Sequence, residues 1–579
     1  MNKRNIGYIL VWETWMIAMF SLSLGLVCGI AFSKLAELGL VNLMKENVNY
    51  AFSISPSSIL LTICIYGIIF FLLLLNAIRQ IRFTNAIQLL QSQNMSEKPP
   101  KANWLFGILG LIILGIAYYI SLSIKNPLSA LGSFFIAVIL VIIGTYLFMI
   151  AGSVVLCRLL QKNKKFYYKK NHFVSVSSMA YRMKRNGAGL ASICILATMV
   201  LVMISSTSSL FIGGENALIN LYPRKINTSV YVTPDVDLSY ENISAFKNTV
   251  QEDIKAYHGK LDNVVALHSA TISGLLNDGD IIYDPDETNR ADITNLSDIV
   301  QVYIIPLKDY NEMSNTNIKL ENNEALLYTN RLEYTKNTIG FHNTKEYTIK
   351  EHLKDCFLSG AISMNVVSSF VLVVDDVNDI SSQLTSKDGT LLATKKWTYC
   401  FDTNLDKDKE MELYNQISND FTTIQENNNQ PFNFIVESRE ANRTNFYSLF
   451  GGLFYLGILL SLVFIIAAVL IIYYKQISEG YEDQARFDIM QKVGMTKKDI
   501  RKSINSQLLM VFFLPLLGAG MHLAFAFPII EKLLQLFNLF NRNLFIMTTA
   551  GSFVIFAIFY AIVYKLTSNA YYNIVSKAK

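Results

Sequence analysis

Eight separate apolar runs, each about 20 residues and so long enough for a helix to cross a core of roughly 30 Å, most restrict what this chain can fold into. They lie at about Ile9–Phe32, Ile59–Ile78, Trp104–Ile124, Phe134–Leu156, Ala188–Ile212, Phe446–Tyr474, Gln507–Phe527 and Leu544–Leu566. Only 16% of the 579 residues are charged and 52% are hydrophobic, whereas soluble domains carry about a quarter charged residues. The pattern predicts an α-helical polytopic membrane protein. The first run follows two bases as a signal peptide would, but it is longer than an apolar core of roughly 7 to 15 residues and carries Glu13. It reads as a retained span.

The polar segments between the runs set the orientation. Arg158, Lys162, Lys164, Lys165, Lys169, Lys170, Arg182, Lys184 and Arg185 share one loop without an acid, which the positive-inside rule places in the cytoplasm. Both termini then fall inside, and residues 213–445 outside. From Glu215 to Arg443 there are 35 acidic and 20 basic residues, a balance of −15, and the remainder carries +20. The net charge of +5 therefore sums an acidic soluble part and a basic membrane part, and does not point to nucleic acid. Strand-like runs at Ser229–Pro234, Ile299–Leu307, Ser368–Asp376 and Phe432–Ser438, with helical pieces at Tyr240–Tyr257 and Asp406–Gln425, make this one large α+β extracellular domain.

The two ends of the chain are related. Met1-Asn-Lys-Arg-Asn-Ile6 aligns with Met495-Thr-Lys-Lys-Asp-Ile500, each before a span, and FTNAIQLL from Phe83 matches TSNAYYNI from Thr567 in kind. The expected organisation is 1–101, an incomplete first repeat of two spans and a surface helix; 102–187, two connecting spans and the basic loop; 188–212, a span leading outward; 213–445, the outer domain; and 446–579, a second repeat of three spans and a tail. The first copy lacks what precedes Met495 in the second, so the repeat predicts a missing start.

Between the spans of the second repeat lies the polar stretch 475–504. Phe487, Ile489, Met490 and Val493 form a short apolar stripe on a helix that Gly494 would stop, with Glu482 in its acidic first half. Such a helix could seat its stripe in a groove of a soluble partner, or could be a solvated connector. Tyr181, Arg182, Lys184 and Arg185 could lie as an elbow on the inner leaflet, where each base is worth about 1 kcal/mol near anionic lipid, or could be a simple anchor. The tail from Asn569 reads as a similar surface helix.

Other chemistry is sparse. His258-Gly259-Lys260-Leu261 has no phosphate-binding glycine loop, and the six histidines show no metal-ligand spacing. No metal, cofactor or catalytic residue is expected. Cys356 and Cys400 could pair if their Cα atoms come within about 7 Å. Asp375-Asp376 reads as a turn rather than an ion site. The acidic outer domain could attract cationic peptides or simply be soluble outside the cell.

The span order, the single large outer domain, FVSVSSMAYRMKRNGAGLA from Phe173 and YYKQISEGYEDQARFDIMQKVGMTKKDI from Tyr473 resemble the FtsX-like permeases of the bacitracin-resistance (BceB-type) ABC transporters of Gram-positive bacteria. The resemblance covers essentially the whole chain. It implies a multi-pass permease of the cell membrane, with two FtsX-like repeats of which the first is incomplete here. It also implies two copies of a cytoplasmic ATPase that consume the ATP, a membrane sensor histidine kinase, and an antimicrobial peptide or peptide–lipid complex as ligand. Family members have ten spans, two more than are read here. A signalling scaffold that regulates a kinase or a wall hydrolase without transport, or a non-functional truncated product, are the alternatives. The resemblance leaves the ligand-binding residues unknown.

Overall fold

The structure is a computed structural model that describes residues 3–44, 55–83, 104–124, 127–168, 170–232, 240–288, 298–330, 332, 334–342, 344–356, 362, 365, 367–427, 432–492, 494 and 496–576. Among them, eight helices are long and apolar enough to cross a membrane, as the sequence predicts. They are α1 (Lys3–Met44), α2 (Pro56–Phe83), α3 (Trp104–Ser123), α4 (Pro127–Lys162), α5 (Lys170–Ile212) and, after the sheet domain, α11 (Arg439–Lys492), α12 (Lys497–Gln535) and α13 (Arg542–Ser576). Lipid offers backbone groups no hydrogen-bond partner, so long uninterrupted helices are the only open solution for these sequences.

Helix α5 is the centre of the bundle and packs on α4, α11, α12 and α13. Small residues allow it: Ala191, Cys194 and Ala197 are buried, and a Cβ added to Gly187 would lie 2.5 Å from Ile150 Cα on α4. A polar seam ties α3 and α4 to α12. His522 is buried with Nδ1 2.7 Å from the Tyr118 hydroxyl and Nε2 3.0 Å from Thr145 Oγ1, and Ser121 donates to the Phe525 carbonyl at 2.6 Å. Each polar group thus has a partner where water has none to offer. No part of the apolar windows of α1 and α2 is buried. They pack on each other, and α1 touches α11.

Several boundaries differ from expectation. The predicted loop after residue 32 is helical to Met44, because SKLAELGLVNLM is made of helix formers and carries a Lys34–Glu37 ion pair at 3.0 Å. The basic stretch read as a loop is largely helical: Arg158 and Lys162 end α4, Lys164–Tyr167 is a short helix of its own, and from Lys170 the chain is the unbroken start of α5. Pro528 opens no loop; α12 runs on to Gln535, held by buried Ile529, Ile530 and Leu534. The tail read as a surface helix from Asn569 is the continuation of α13. Most of the surface helix expected at 79–101 lies outside the described residues, as does Asn126 of the turn expected at Asn126-Pro127, whose Pro127 opens α4.

The sheet domain holds α6 (Gly214–Leu221), β1 (Ile226–Val232), α7 (Tyr240–Ala256), β2 (Leu261–Asn277), β3 (Asp280–Ile282), β4 (Ile299–Pro306) and α8 (Leu307–Ser314). There follow β5 (Glu324–Asn330), β6 (Thr338–Phe341), β7 (Glu346–His352), β8 (Ser368–Val374), α9 (Val377–Ser381), β9 (Thr394–Thr403), α10 (Lys407–Asn427) and β10 (Phe432–Ser438). Strand β2 belongs to two structures. Its first half pairs with β9 in the antiparallel array β10-β1-β9-β2, and its second half pairs with both β3 and β4. The order β2-β3-β6-β7-β5-β8-β4 then returns to β2, a closed circuit. Ala270, Ile281, Val302, Leu327, Phe341 and Phe370 fill its inside. Helices α7 and α10 cover one face of the open array through Phe246, Leu413, Phe421 and Trp397.

Asp278 and Gly279, both at positive φ, turn β2 into β3. Asp376 ends β8 by accepting from the Asn378 amide at 2.9 Å, capping α9. Cys356 and Cys400 are not joined in a disulfide; the first is buried beside Leu326 and Val373 and the second lies on β9, where burial pushes its thiol up to about 12.

Helices α7 and α10 also bring Asp253 against Asp420. Burial first, then the charge and hydrogen bond of Asp420, raise the Asp253 carboxyl to about 7, and its Oδ2 has no partner among the described residues. Folding therefore takes up a proton that the unfolded chain has released. The sheet domain should lose stability as pH rises from about 4 to about 7. Asp253→Asn should flatten that loss, read as the thermal midpoint of near-ultraviolet circular dichroism across the window.

Candidate functional site

Helix α11 begins where β10 ends. Ser438 Oγ accepts from the Glu440 and Ala441 amides at 3.2 and 3.4 Å, so strand passes into helix without a linker. Arg443 bonds Glu215 of α6 and, at 2.8 Å, Glu440; Lys407 of α10 reaches Glu440 at 3.0 Å. Tyr447 donates to Glu215 at 3.0 Å, and Arg439 to the Tyr222 carbonyl at 2.8 Å. Through these contacts the sheet domain is fastened to the first turns of α11. The helix then runs 54 residues without a break, roughly 80 Å at 1.5 Å per residue.

Its far end is the polar stretch singled out by the sequence. Gly494, at φ +104°, donates to the Gln491 carbonyl at 2.9 Å and turns the chain into α12; a side chain there would be strained. The expected stop is therefore present. One face of the last turns of α11 lies against α13, in an apolar cluster that α12 also joins. Gln476, Glu479, Asp483 and Phe487, at helical spacing, are all buried. Tyr571 of α13 donates its hydroxyl to Asp483, and Phe487 joins Ile500, Ile504, Tyr571 and Val575 in one apolar cluster. Nearby, Ser568 donates to Asn505 at 3.1 Å, and Arg501 stands 5.3 Å over the Tyr572 ring.

The opposite face is open. Glu482 is exposed, and so are Tyr481 at 64% and Ile489 at 61%; Lys492 pairs with Asp488 at 2.8 Å. Of the residues singled out from sequence, Glu482 and Ile489 thus share an exposed face, whereas Phe487 is only 2% exposed and is turned into the bundle. The correction has a simple cause. Ile489 lies two residues from Phe487, about 200° round the helix, so the two cannot present one stripe. The side chains of Met490 and Val493, and those of Tyr181, Arg182, Lys184 and Arg185 on the helical start of α5, lie outside the described residues. Tyr481 was not singled out. Its spacing of one residue from Glu482 and eight from Ile489 was the available signal.

Residues 458–579 match the family model described as FtsX-like permease C-terminal. That span includes the end of α11 and all of α12 and α13. The chain is 22% identical over 584 residues to the uncharacterized ABC transporter permease YvcS of Bacillus subtilis, covering 98% of this chain and 84% of that one. It is 24% and 22% identical to the bacitracin export permease protein BceB of Halalkalibacterium halodurans and of Bacillus subtilis, in each case over 91% of this chain and 78% of the relative.

The two faces should separate in stability. Phe487→Ala should cost about 3–5 kcal/mol by emptying a packed site, read as unfolding of the purified protein in detergent. Ile489→Ala should stay within about 0.5 kcal/mol, as exposed substitutions do.

Proposed function

We propose that this multi-pass membrane protein, an ABC transporter permease of the FtsX/BceB type, is the subunit through which a separate cytoplasmic ATPase drives resistance to, and sensing of, wall-targeting antimicrobial peptides of the bacitracin kind. The observation that carries the reading is the single helix joining β10 of the sheet domain to the exposed face around Ile489. Orientation follows from the basic stretch 158–185, which has no acid. It puts Gly494 and both chain ends in the cytoplasm and residues 213–445 outside.

In this reading Tyr481, Glu482 and Ile489, with Met490 and Val493, meet one of two ATPase copies. Phe487 holds the receiving helix to α12 and α13. Closure of the nucleotide-bound dimer moves the end of α11, and the ion pairs of Arg443 carry that motion into the sheet domain. The acidic outer surface draws in a cationic peptide, free or bound to a lipid. Tyr181, Arg182, Lys184 and Arg185 sit on anionic lipid at the inner leaflet. A sensor kinase packs on the α1–α2 pair, whose apolar windows hold no buried residue among the described residues. ATP is bound by the partner, and this chain performs no catalysis. The names of the BceB relatives support the choice of peptide.

Purification with the ATPase tests the proposal. The wild type should copurify with it and raise its hydrolysis rate on addition of bacitracin. The double variant Tyr481→Ala, Ile489→Asp should reduce that stimulation by about tenfold or more, in keeping with loss of two interface anchors, while its thermal midpoint stays near wild type. Failure of any ATPase to copurify with the wild type would sink the reading.

A further inference from the structure

The sheet domain is acidic as a whole, but one groove on the uncovered face of its open array has no carboxylate among the described residues that line it. Strand register sets Tyr231 opposite Lys396, Thr271 opposite both Thr394 and Tyr303, and Ser273 opposite Gln301. Directly opposed residues project to the same side, here the side away from α7 and α10. Above them is a groove of about 480 Å³, closed on one flank by Tyr283, Pro285 and Leu392. Lys396 Nζ stands 5.1 Å from the centroid of the Tyr231 ring. Tyr303 Oη accepts from Asn365 Nδ2 at 2.6 Å, which fixes its ring; burial also raises its phenol, so it stays neutral. Among the described residues no carboxylate lines this groove, in a domain whose sequence has 35 of them.

These groups select among ligands. A cationic peptide would meet Lys396 and no carboxylate among the described residues lining the groove, Glu437 acting on Lys396 from outside that lining. A wholly apolar ligand would strip water from Thr271, Ser273 and Gln301 without replacing it, at about 1–3 kcal/mol for each group left unpaired. A bare anion would use Lys396 and leave the aromatic rings idle. A sugar ring fits all of them, since its C–H face packs on aromatic rings while its hydroxyls exchange hydrogen bonds with threonine, serine and glutamine. Lys396 adds a charge-assisted bond for an acidic substituent.

We propose that this groove binds a saccharide bearing an acidic group, with the ring against Tyr231, Tyr283 and Tyr303 and the carboxylate or phosphate on Lys396. The inference goes beyond the transport reading and depends on it only for the compartment in which the sugar is met.

Saturation-transfer NMR and calorimetry on the full chain in lipid nanodiscs, without ATP or ATPase, test it. The probes are N-acetylmuramic acid, N-acetylglucosamine 1-phosphate, neutral N-acetylglucosamine and inorganic phosphate. At least one acidic sugar should bind more tightly than the neutral sugar, and the preferred one identifies the acidic group. Lys396→Gln should weaken that sugar about tenfold, as loss of one charge-assisted bond predicts, and leave the neutral sugar unchanged. Tyr231→Ala should weaken both sugars, and Ser229→Ala, on the same face outside the groove, neither. The idea is overturned if no sugar binds the wild type, if inorganic phosphate binds as tightly as the acidic sugars, or if Lys396→Gln leaves their binding intact. Because no ATPase is present, loss of the transport reading would leave these results standing, and the reverse also holds.

Discussion

The intrahelical hydrogen-bond ladder of α11 is the constraint on which the rest of the structure depends. In hydrocarbon every backbone amide must bond within its own helix, so between Arg439 and Lys492 there is no place for a hinge made of open backbone. The part outside the lipid inherits that stiffness. Ser438 caps the helix directly on β10 and Gly494 ends it, so displacement at one end cannot be absorbed along the way. It must appear at the other end or at the contacts that hold α11 to its neighbours.

Those contacts differ in kind at the two ends. Beside the sheet domain they are ion pairs and hydrogen bonds among Arg443, Glu215, Glu440, Lys407 and Tyr447, directional interactions that transmit rotation as well as translation. At the far end Phe487 packs in an apolar cluster, but the turns before it bury Gln476, Glu479 and Asp483. The Gln476 amide has no hydrogen-bond partner among the described residues on either its oxygen or its nitrogen. A buried amide in that condition costs about 1–3 kcal/mol, a cost this packing carries. An interface holding such a cost is easier to shift than one made wholly of interlocking aliphatic groups.

Much of the fold was legible in the chain because the membrane reads sequence crudely. A run of 20 apolar residues means one thing, and all eight were countable. Helix ends were not, because a helix that continues beyond lipid becomes amphipathic or charged, as 33–44 and 170–187 do, and loses the signal that announced it. In the sheet domain β1, β4, β8 and β10 were visible as β-branched runs. Strand β2 was not, since it changes partners midway and alternation cannot persist along a strand whose covered face changes. The same limit applied to the site. Hydropathy put Phe487 on one apolar stripe with Ile489, whereas packing in the cluster with Tyr571 buries Phe487 and leaves Ile489 exposed.

Charge, too, means different things at different distances. The excess of acids over the sheet domain acts over roughly a Debye length, about 8 Å in physiological salt, and so governs what approaches. It does not govern what is held. Among the described residues lining the groove above β1, β9, β2 and β4 the formal charge is Lys396, set against Tyr231, and the proposed recognition there depends on hydroxyls, an amide and ring faces. A cationic ligand drawn by the far field would be refused at this surface. The attraction of a peptide and the binding of a saccharide therefore need separate places on the domain, and a complex containing both chemistries could engage the two together, with its sugar in the groove and its basic part on the surrounding acidic surface.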